Sequence, residues 1–546
     1  MCRAHGSTNT RRISGISGTG DEQGSNRVVT ADPQQGSSRD GDPRQQADPR
    51  RWWILALLSS LQLMILLDMT VVNVALPRIQ EGLGFSPSGL TWVVNGYVLA
   101  AGGLLMLGGR MADFFGRRRV LLIGVVVFGL ASALSGAATA PWMMIVGRFG
   151  QGTAEALVAP ASLALIALLF TDPKERTKAL GLWGGLAGIG GALGYVLSGV
   201  LTDLASWRWI FFINLPVALV VLFLVPRFVA ESRMTRGKDD SLDLVGAATL
   251  TLGLVGVVYG LLQAAERSWG SVQVLAPLVV GAALLVLMVV VERRSRNPLI
   301  PLDFFANRTR STINLVSLLF MAAFISYTFM MSLFNQQILG LSPLMAGLAW
   351  LPLTVGIPVG LGVSTALVPR LGVKVVAALG YAGAGGGLIL TSMVTPDSSY
   401  FLGVVPGMLV FGLFAGLSMP ASLNAALHGV TGQDSGLASG VLTTMQQVGS
   451  ATGVAVLVTL AIRHAETAIE AGASAPVAAA QGYSLAFLVG GVLMIIGGLV
   501  ILALFERVDT ELSDPMVARA AAYESAGDEP GGPGGSAEPS AREGSS

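Results

Sequence analysis

The run WWILALLSSLQLMILLDMTVVNVAL, residues 52–76, decides the fold. Its single formal charge is Asp68, and as a helix rising 1.5 Å per residue it is about 37 Å long, enough to cross a hydrocarbon core of about 30 Å. Similar runs recur at 90–109, 119–138, 142–169, 178–201, 208–226, 242–264, 273–291, 311–335, 345–367, 373–394, 401–426, 438–462 and 483–505. Only 12% of the 546 residues are charged, against about a quarter in a soluble chain. Seventy glycines would weaken soluble helices, but in a bilayer they let backbones approach closely where lipid offers no competing hydrophobic drive. This pattern predicts an all-α polytopic membrane protein with 14 transmembrane helices.

Residues 1–50 and 507–546 hold no apolar cluster and read as disordered tails. No short apolar stretch precedes Trp52, so no secretory signal is expected. Orientation follows the basic residues, which short loops retain on the cytoplasmic side. Arg117, Arg118 and Arg119, then Lys174, Arg176 and Lys178, then Arg227, Arg233, Arg236 and Lys238, then Arg293, Arg294 and Arg296, then Arg370 and Lys374 fall in alternate loops. The other loops hold little beyond Arg78, Arg208, Arg267 and Arg463. Both termini are then cytoplasmic, and 463–482 is a long external loop. Lysine is scarce beside arginine, a bias of GC-rich coding, so the expected setting is the plasma membrane of a bacterium. The spans divide as a six-helix bundle at 51–226, a two-helix insert at 227–295 and a second six-helix bundle at 296–506, with a substrate site expected midway between the bundles.

Several chemistries are excluded. Cys2 is the only cysteine, and His5, His428 and His464 are the only histidines, which leaves no metal-ligand set and no disulfide pair. No GxxxxGK[ST] loop offers ATP drive. A net charge of +1 gives no nucleic-acid footprint, and the spans contain no clustered catalytic set for an embedded enzyme.

An ionisable side chain within a span is costly unless paired or wetted, so each one marks a functional candidate. Asp68, Arg148 and Glu155 stand out as candidates for proton coupling. Asp68 lies about eight residues from the external end of its span and Arg148 about seven from the external start of its own, so both sit at similar depth and an ion pair can form across a cavity. Arg148, Gln151 and Glu155, three and four residues apart, form one stripe facing that cavity; the plainer alternative is bracing between packed helices. GGRMADFFGRRR, residues 108–119, reads as a breakable latch: Gly109 and Gly116 permit tight turning, and Asp113 can pair with Arg117 or Arg118. A loop serving orientation alone would explain the arginines but not Gly109, Asp113 and Gly116. GLWGGLAGIGGALGYVLSG, residues 181–199, carries Gly188, Gly190, Gly191, Gly194 and Gly199, with Gly190 and Gly194 on one face, suited to close helix contact, sliding or static. Asn73, Asn95, Tyr97, Gln151, Asn314, Tyr327, Asn335, Gln446 and Gln447 are candidates to line a substrate cavity, together with Met321, Met330 and Met331, although packing explains any one of them equally well.

Several of these segments together carry a family resemblance over roughly residues 52–506. LDMTVVNVALP (67–77), TWVVNGYVLA (91–100), GRMADFFGRRR (109–119), RFGQGTAEA (148–156), WRWIFFINLP (207–216) and GLASGVLTTMQQVGSATGVAV (436–456) closely resemble segments of the fourteen-span drug:proton antiporter family of the major facilitator superfamily. The resemblance implies proton-coupling roles for Asp68 and Arg148, and stabilisation of one conformation by Asp113 with Arg117 or Arg118. Two departures stand out: Tyr195 follows Gly194 where the family's fifth-helix motif has proline, and Phe114 replaces the usual basic residue after Asp113.

The expected function is proton-coupled efflux of small amphiphilic drugs, antibiotics or secondary metabolites by alternating access, with protons as the coupling ion, no other cofactor, and a monomer as the working unit. A proton symporter or facilitator for a nutrient is the nearest rival on the same fold. A membrane-embedded sensor is the rival from another class, but it would need an output domain.

Overall fold

A chain in lipid must satisfy its backbone polar groups within each segment, and helices do this residue by residue. The computed structural model describes residues 50–170, 173–232, 243–295, 302–428 and 435–505; among them there is no strand. The long helices are α1 (Arg51–Leu83), α2 (Trp92–Phe115), α3 (Arg117–Gly136), α4 (Pro141–Leu169), α5 (Pro173–Leu204), α6 (Asn214–Phe228), α7 (Leu244–Glu266), α8 (Val272–Arg294) and α9 (Arg308–Leu333). The next helical stretch, Leu351–Thr391, is interrupted at Gly372, whose φ of 78° only glycine adopts readily; its two parts are α10 (351–371) and α11 (373–391). Then come α12 (Val405–Ala426), α13 (Ser435–Glu470) and α14 (Ala475–Leu504).

Packing shows that α10 and α11 run antiparallel. Gly356 and Gly360 lie against Leu413 and Leu417 of α12 in rising order, whereas Gly380 and Gly387 meet Ser418 and Phe411 in falling order. By length and apolarity, 12 helices among the described residues can cross a membrane, the joined stretch Pro343–Thr391 counting as one, and α5 adds the shorter apolar piece Leu193–Leu204.

The helices differ from the expected spans mainly at their ends. Pro77 does not stop α1, which continues to Leu83. The long loop expected at 463–482 is largely absent: α13 stays helical to Glu470, α14 begins at Ala475, and Gly472, at φ 95°, makes the turn. Ala, Glu and Thr between 463 and 470 carry the helix past the apolar run, so hydropathy alone ended it too early. The expected tails, residues 1–49 and 506–546, lie outside the described residues.

The helices α7 and α8 pack on each other through glycines, Gly256 against Gly281 at 3.0 Å from a would-be Cβ. α7 lies along α2 and α13: Gly103 closes on Thr251, Thr459 Oγ1 donates to the Leu261 carbonyl at 3.0 Å, and Arg463 Nε donates to the Ala264 carbonyl at 2.8 Å. α8 leaves Val279, Val280 and Val286 exposed, a surface suited to lipid.

One end of the bundle, where α1, α5 and α9 finish, is closed by contacts between the first and last sets of helices. Ser332 Oγ on α9 donates to the Asn73 carbonyl of α1, and Gln336 Nε2, in the π-helical turn Phe334–Ile338, donates to the Val74 carbonyl at 2.7 Å. Beside them, Gly199 of α5 meets the Pro343 carbonyl at 2.6 Å and the Leu344 Cα at 2.9 Å from a would-be Cβ.

Candidate functional site

Two helices, α4 and α6, deliver donors to one carboxylate on α1. Asp68, on α1, is 1% exposed, and Arg148, on α4, is 2% exposed. Arg148 Nη1 donates to Asp68 Oδ2 at 2.6 Å and to Gln151 Oε1 at 2.8 Å, while its Nε donates to the Val93 carbonyl of α2 at 2.7 Å. Gln151 Nε2 donates to Asp68 Oδ1 at 2.7 Å and to Ser132 Oγ of α3 at 2.9 Å. Asn214 Nδ2, at the start of α6, donates to the same Oδ1 at 2.8 Å. The Arg148 guanidinium carbon stands 4.4 Å from the centre of the Tyr97 ring, a cation–π contact on its remaining face. Donors alone surround the carboxylate, an arrangement that suits the ionised acid.

The sequence reading brought Asp68, Arg148 and Gln151 to this place but missed Asn214 and Ser132. Asn214 lies in WRWIFFINLP, where two tryptophans and two phenylalanines dominate, and its position at the head of α6 is the signal that it faces inward. Glu155, one turn beyond Gln151, stands outside the network: it lies beside Tyr97, and its Oε2 is buried with no hydrogen-bond partner.

The basic turn divides its work between two acids. Asp113 accepts from Arg117 Nη2 at 3.0 Å and Nε at 3.2 Å. Arg118 goes elsewhere: its Nη1 donates to the Val229 carbonyl at 3.0 Å, its backbone amide donates to Glu231 at 3.2 Å, and its side chain forms an ion pair with Glu231 at 3.7 Å, with Arg119 at 3.6 Å from the same carboxylate. Glu231 was not foreseen, because it lies beyond the motif in sequence. Gly116, at φ 105°, makes the turn as expected. Gly109 does not: it is helical, and a Cβ there would have its nearest atom, Pro160 Cβ, at 3.6 Å. The close approach belongs to Gly108, where a Cβ would overlap the Ala156 carbonyl of α4.

On α5, Gly190 and Gly194 do share a face, against Leu66 and Thr70 of α1, while Gly199 faces Pro343 instead. The surroundings of Gly188 and Gly191 lie outside the described residues.

The cavity candidates do not form one lining. Asn95 and Asn335 are fully buried, with neither amide atom hydrogen-bonded. Tyr327 belongs to an aromatic cluster with Phe411 at 4.9 Å, Phe487 at 5.2 Å and Trp350 at 6.2 Å between ring centres. Asn73 and Asn314 donate back to their own helices, at the Met69 and Arg310 carbonyls. Gln447 packs under Gly102 of α2 through its Cβ at 2.5 Å from a would-be Cβ, and the Gln446 carbonyl accepts from Ser450. Met330 and Met331 are buried in the core. No group of three or more His, Cys, Asp or Glu among the described residues is placed to hold a metal.

A multi-pass helical membrane protein with a buried ion pair at mid-helix is the architecture of a transporter. Residues 58–454 match the sequence model of the Major Facilitator Superfamily, and the chain belongs to that superfamily. It is a transporter rather than an enzyme. It is 39% identical over 459 residues to the puromycin resistance protein pur8 of Streptomyces alboniger, covering 82% of this chain and 91% of the relative. It is 40% identical over 411 residues to the lincomycin resistance protein of Streptomyces lincolnensis, covering 75% and 84%. To the cephamycin export protein CmcT of Amycolatopsis lactamdurans it is 38% identical over 408 residues, covering 74% and 84%. Among solved structures it shares its fold with a peptide transporter POT crystallised with sulfate, at a TM-score of 0.61 and 15% identity, covering 83% of this chain and 94% of that one.

Proposed function

We propose that this chain exports small amphiphilic drugs, antibiotics or secondary metabolites across a bacterial cytoplasmic membrane in exchange for protons, by alternating access between two six-helix bundles joined by α7 and α8. Fourteen crossings follow if α5 spans and if α10 and α11 cross separately. Both termini are then cytoplasmic, and the end closed by Ser332, Gln336 and Gly199 is external. The working unit is a monomer.

The observation that carries the reading is the convergence of Arg148, Gln151 and Asn214 on the Asp68 carboxylate. A proton arriving at Asp68 removes the charge that holds Arg148, and one carboxyl oxygen then becomes a donor that this ring of donors cannot satisfy. α1 must shift or rotate to relieve that mismatch. Asn73 and Val74, within two turns of Asp68 on the same helix, accept the hydrogen bonds from Ser332 and Gln336 that close the external end. Protonation and external closure are thereby linked through one rigid helix.

Moving one elementary charge through 100 mV supplies about 2.3 kcal/mol, which sustains roughly a fifty-fold gradient of a neutral cargo. The test is transport in inverted vesicles. An imposed proton gradient should drive accumulation of a fluorescent amphiphile in vesicles carrying the wild-type chain and not in those carrying Asp68→Asn. Accumulation independent of the gradient would reject antiport, and proton-driven movement in the opposite direction would favour a symporter.

A further inference from the structure

Where α1 begins and α6 ends, the two helices leave a groove of about 560 Å³ between them. Its floor is Ile54, buried on α1; Trp53 and Leu57 stand on one side and Leu224 and Phe228 on the other. The groove runs from Arg50 at its mouth to Ser60, a rise of about 15 Å along a helix, which is the depth of one leaflet of a hydrocarbon core about 30 Å thick. The mouth is cationic. Arg50 holds its guanidinium carbon 5.9 Å from the centre of the Phe228 ring across the groove, and Arg227 brings a second guanidinium to the same end of α6. No Asp or Glu is among the described residues that line the groove. Arg51, next along α1, is instead engaged with Glu175 at 2.8 Å. The first turn of α1 holds no acid and receives no side-chain cap, so its leading amides add to the positive potential. Trp53, 80% exposed, is placed as an aromatic residue at the membrane–water interface.

An apolar slot one leaflet deep under a cationic rim matches a molecule that joins an acyl chain to an anionic headgroup. A soluble anion would leave the slot unfilled, and a zwitterionic lipid would bring its own cation to the two arginines. We propose that this groove binds one anionic phospholipid of the cytoplasmic leaflet, with its headgroup on Arg50 and Arg227 and an acyl chain laid over Ile54 between Leu57 and Leu224. From the transport reading this takes only the orientation that makes the mouth cytoplasmic. The site lies on the two helices that meet at Asp68: α1 carries the carboxylate and α6 carries Asn214, which donates to it at 2.8 Å. A lipid seated between their ends holds those helices at a fixed spacing about two to three turns from that hydrogen bond.

The test is native mass spectrometry of the purified full-length chain in detergent, titrated with dioleoyl phosphatidylglycerol or with dioleoyl phosphatidylcholine. Wild type is expected to retain one phosphatidylglycerol at least about tenfold more tightly than phosphatidylcholine. Arg50→Gln together with Arg227→Gln should bring the two lipids within about twofold of each other, leaving phosphatidylcholine binding unchanged. Ala56→Trp, which fills the groove from an exposed position, should weaken both lipids while the arginines remain. Phosphatidylglycerol should raise the melting temperature of wild type, as a ligand of the folded state does, and not that of the double variant. Equal affinity of wild type for both lipids, or a preference that survives in the double variant, would overturn the proposal. So would displacement of the lipid by glycerol 3-phosphate, which would make this a site for a soluble phosphate, or indifference to Ala56→Trp, which would leave the groove without a part. Binding is read without a gradient or a sided membrane, so its failure leaves proton exchange standing, and a chain that binds the lipid but shows no proton-driven flux keeps this site while losing antiport.

Discussion

Tyr195 lies flat on Trp350, with ring centres 4.6 Å apart and planes 16° from parallel, and so joins α5 to the segment that leads into α10. It sits one residue after Gly194, where the family motif has proline, and both rings are buried. The same crossing brings Gly199 against Pro343, and Gly347 to 2.5 Å from the Tyr195 carbonyl by a would-be Cβ. Proline would kink α5 here; tyrosine instead supplies a large ring that fills the space against the opposite bundle, a stacking worth about 0.5–1.5 kcal/mol beyond the area it covers. Tyr195→Ala is therefore expected to loosen closure at this end. With Cys2→Ser as background and Leu344→Cys as reporter, labelling by a membrane-impermeant maleimide applied from outside should speed up about three- to tenfold. An unchanged labelling rate would show that the stack does not hold this end shut.

Asp68→Asn and Asp68→Ala should separate chemistry from folding. Asparagine keeps the size of the side chain and an oxygen for Arg148 but sets an NH2 group among donors, the same mismatch as the protonated acid, so the purified protein should fold and melt below wild type while proton-driven efflux falls at least about hundredfold. Alanine leaves Arg148 buried and unpaired, which costs about 3–5 kcal/mol, and this variant should melt clearly below Asp68→Asn. If both variants melt together, Arg148 does not depend on Asp68 for its place.

Legibility followed the range of the interactions. The membrane class, the helix positions and the pairing of Asp68 with Arg148 were open to reading because lipid imposes a local rule: a charge within an apolar run must find a partner. The same rule could not choose among uncharged partners, so Asn214 and Ser132, which complete the Asp68 site, stayed hidden among aromatic and small residues. Gly109 and Gly108 were indistinguishable by spacing, and only the path of α4 shows which of them touches a backbone. In sequence Tyr195 is only a departure from the motif's proline, because Trp350, the ring it stacks on, lies far along the chain. The hairpin between α13 and α14 was missed because helix continuation beyond the apolar run depends on helix propensity and on packing between those two helices rather than on hydropathy.

Glu231 ties the segment after α6 to the basic turn between α2 and α3. Arg118 and Glu231 are 28% and 19% exposed in their side chains, so screening by solvent limits the pair to about 1 kcal/mol. A double-mutant cycle of Arg118→Ala and Glu231→Ala on thermal stability should give a coupling of that size at low salt and a smaller one in high salt. Transport should suffer more than stability, because releasing this tie frees the α2–α3 turn in one conformation of the cycle only. A coupling indistinguishable from zero at low salt would mean that Glu231 merely solvates the loop.

The two glycines at the end of α2 should respond in opposite ways to the same small change. At Gly108 a methyl group would overlap the Ala156 carbonyl, a backbone atom of α4 that cannot rotate aside. α2 would have to move off α4, and α2 also carries Tyr97 and the Val93 carbonyl that accepts from Arg148. Gly108→Ala is thus expected to lower both melting temperature and transport, with a cost of the overpacking type, about 1–3 kcal/mol. At Gly109 the nearest atom to a new methyl is Pro160 Cβ at 3.6 Å, an ordinary contact, and replacing a helical glycine by alanine gains about 0.5–1 kcal/mol in backbone entropy. Gly109→Ala should therefore match or exceed wild type in stability. Thermal melts of the two purified variants, run beside efflux assays, decide the matter: if Gly109→Ala proves the more damaging, the tight crossing of α2 and α4 has been assigned to the wrong residue.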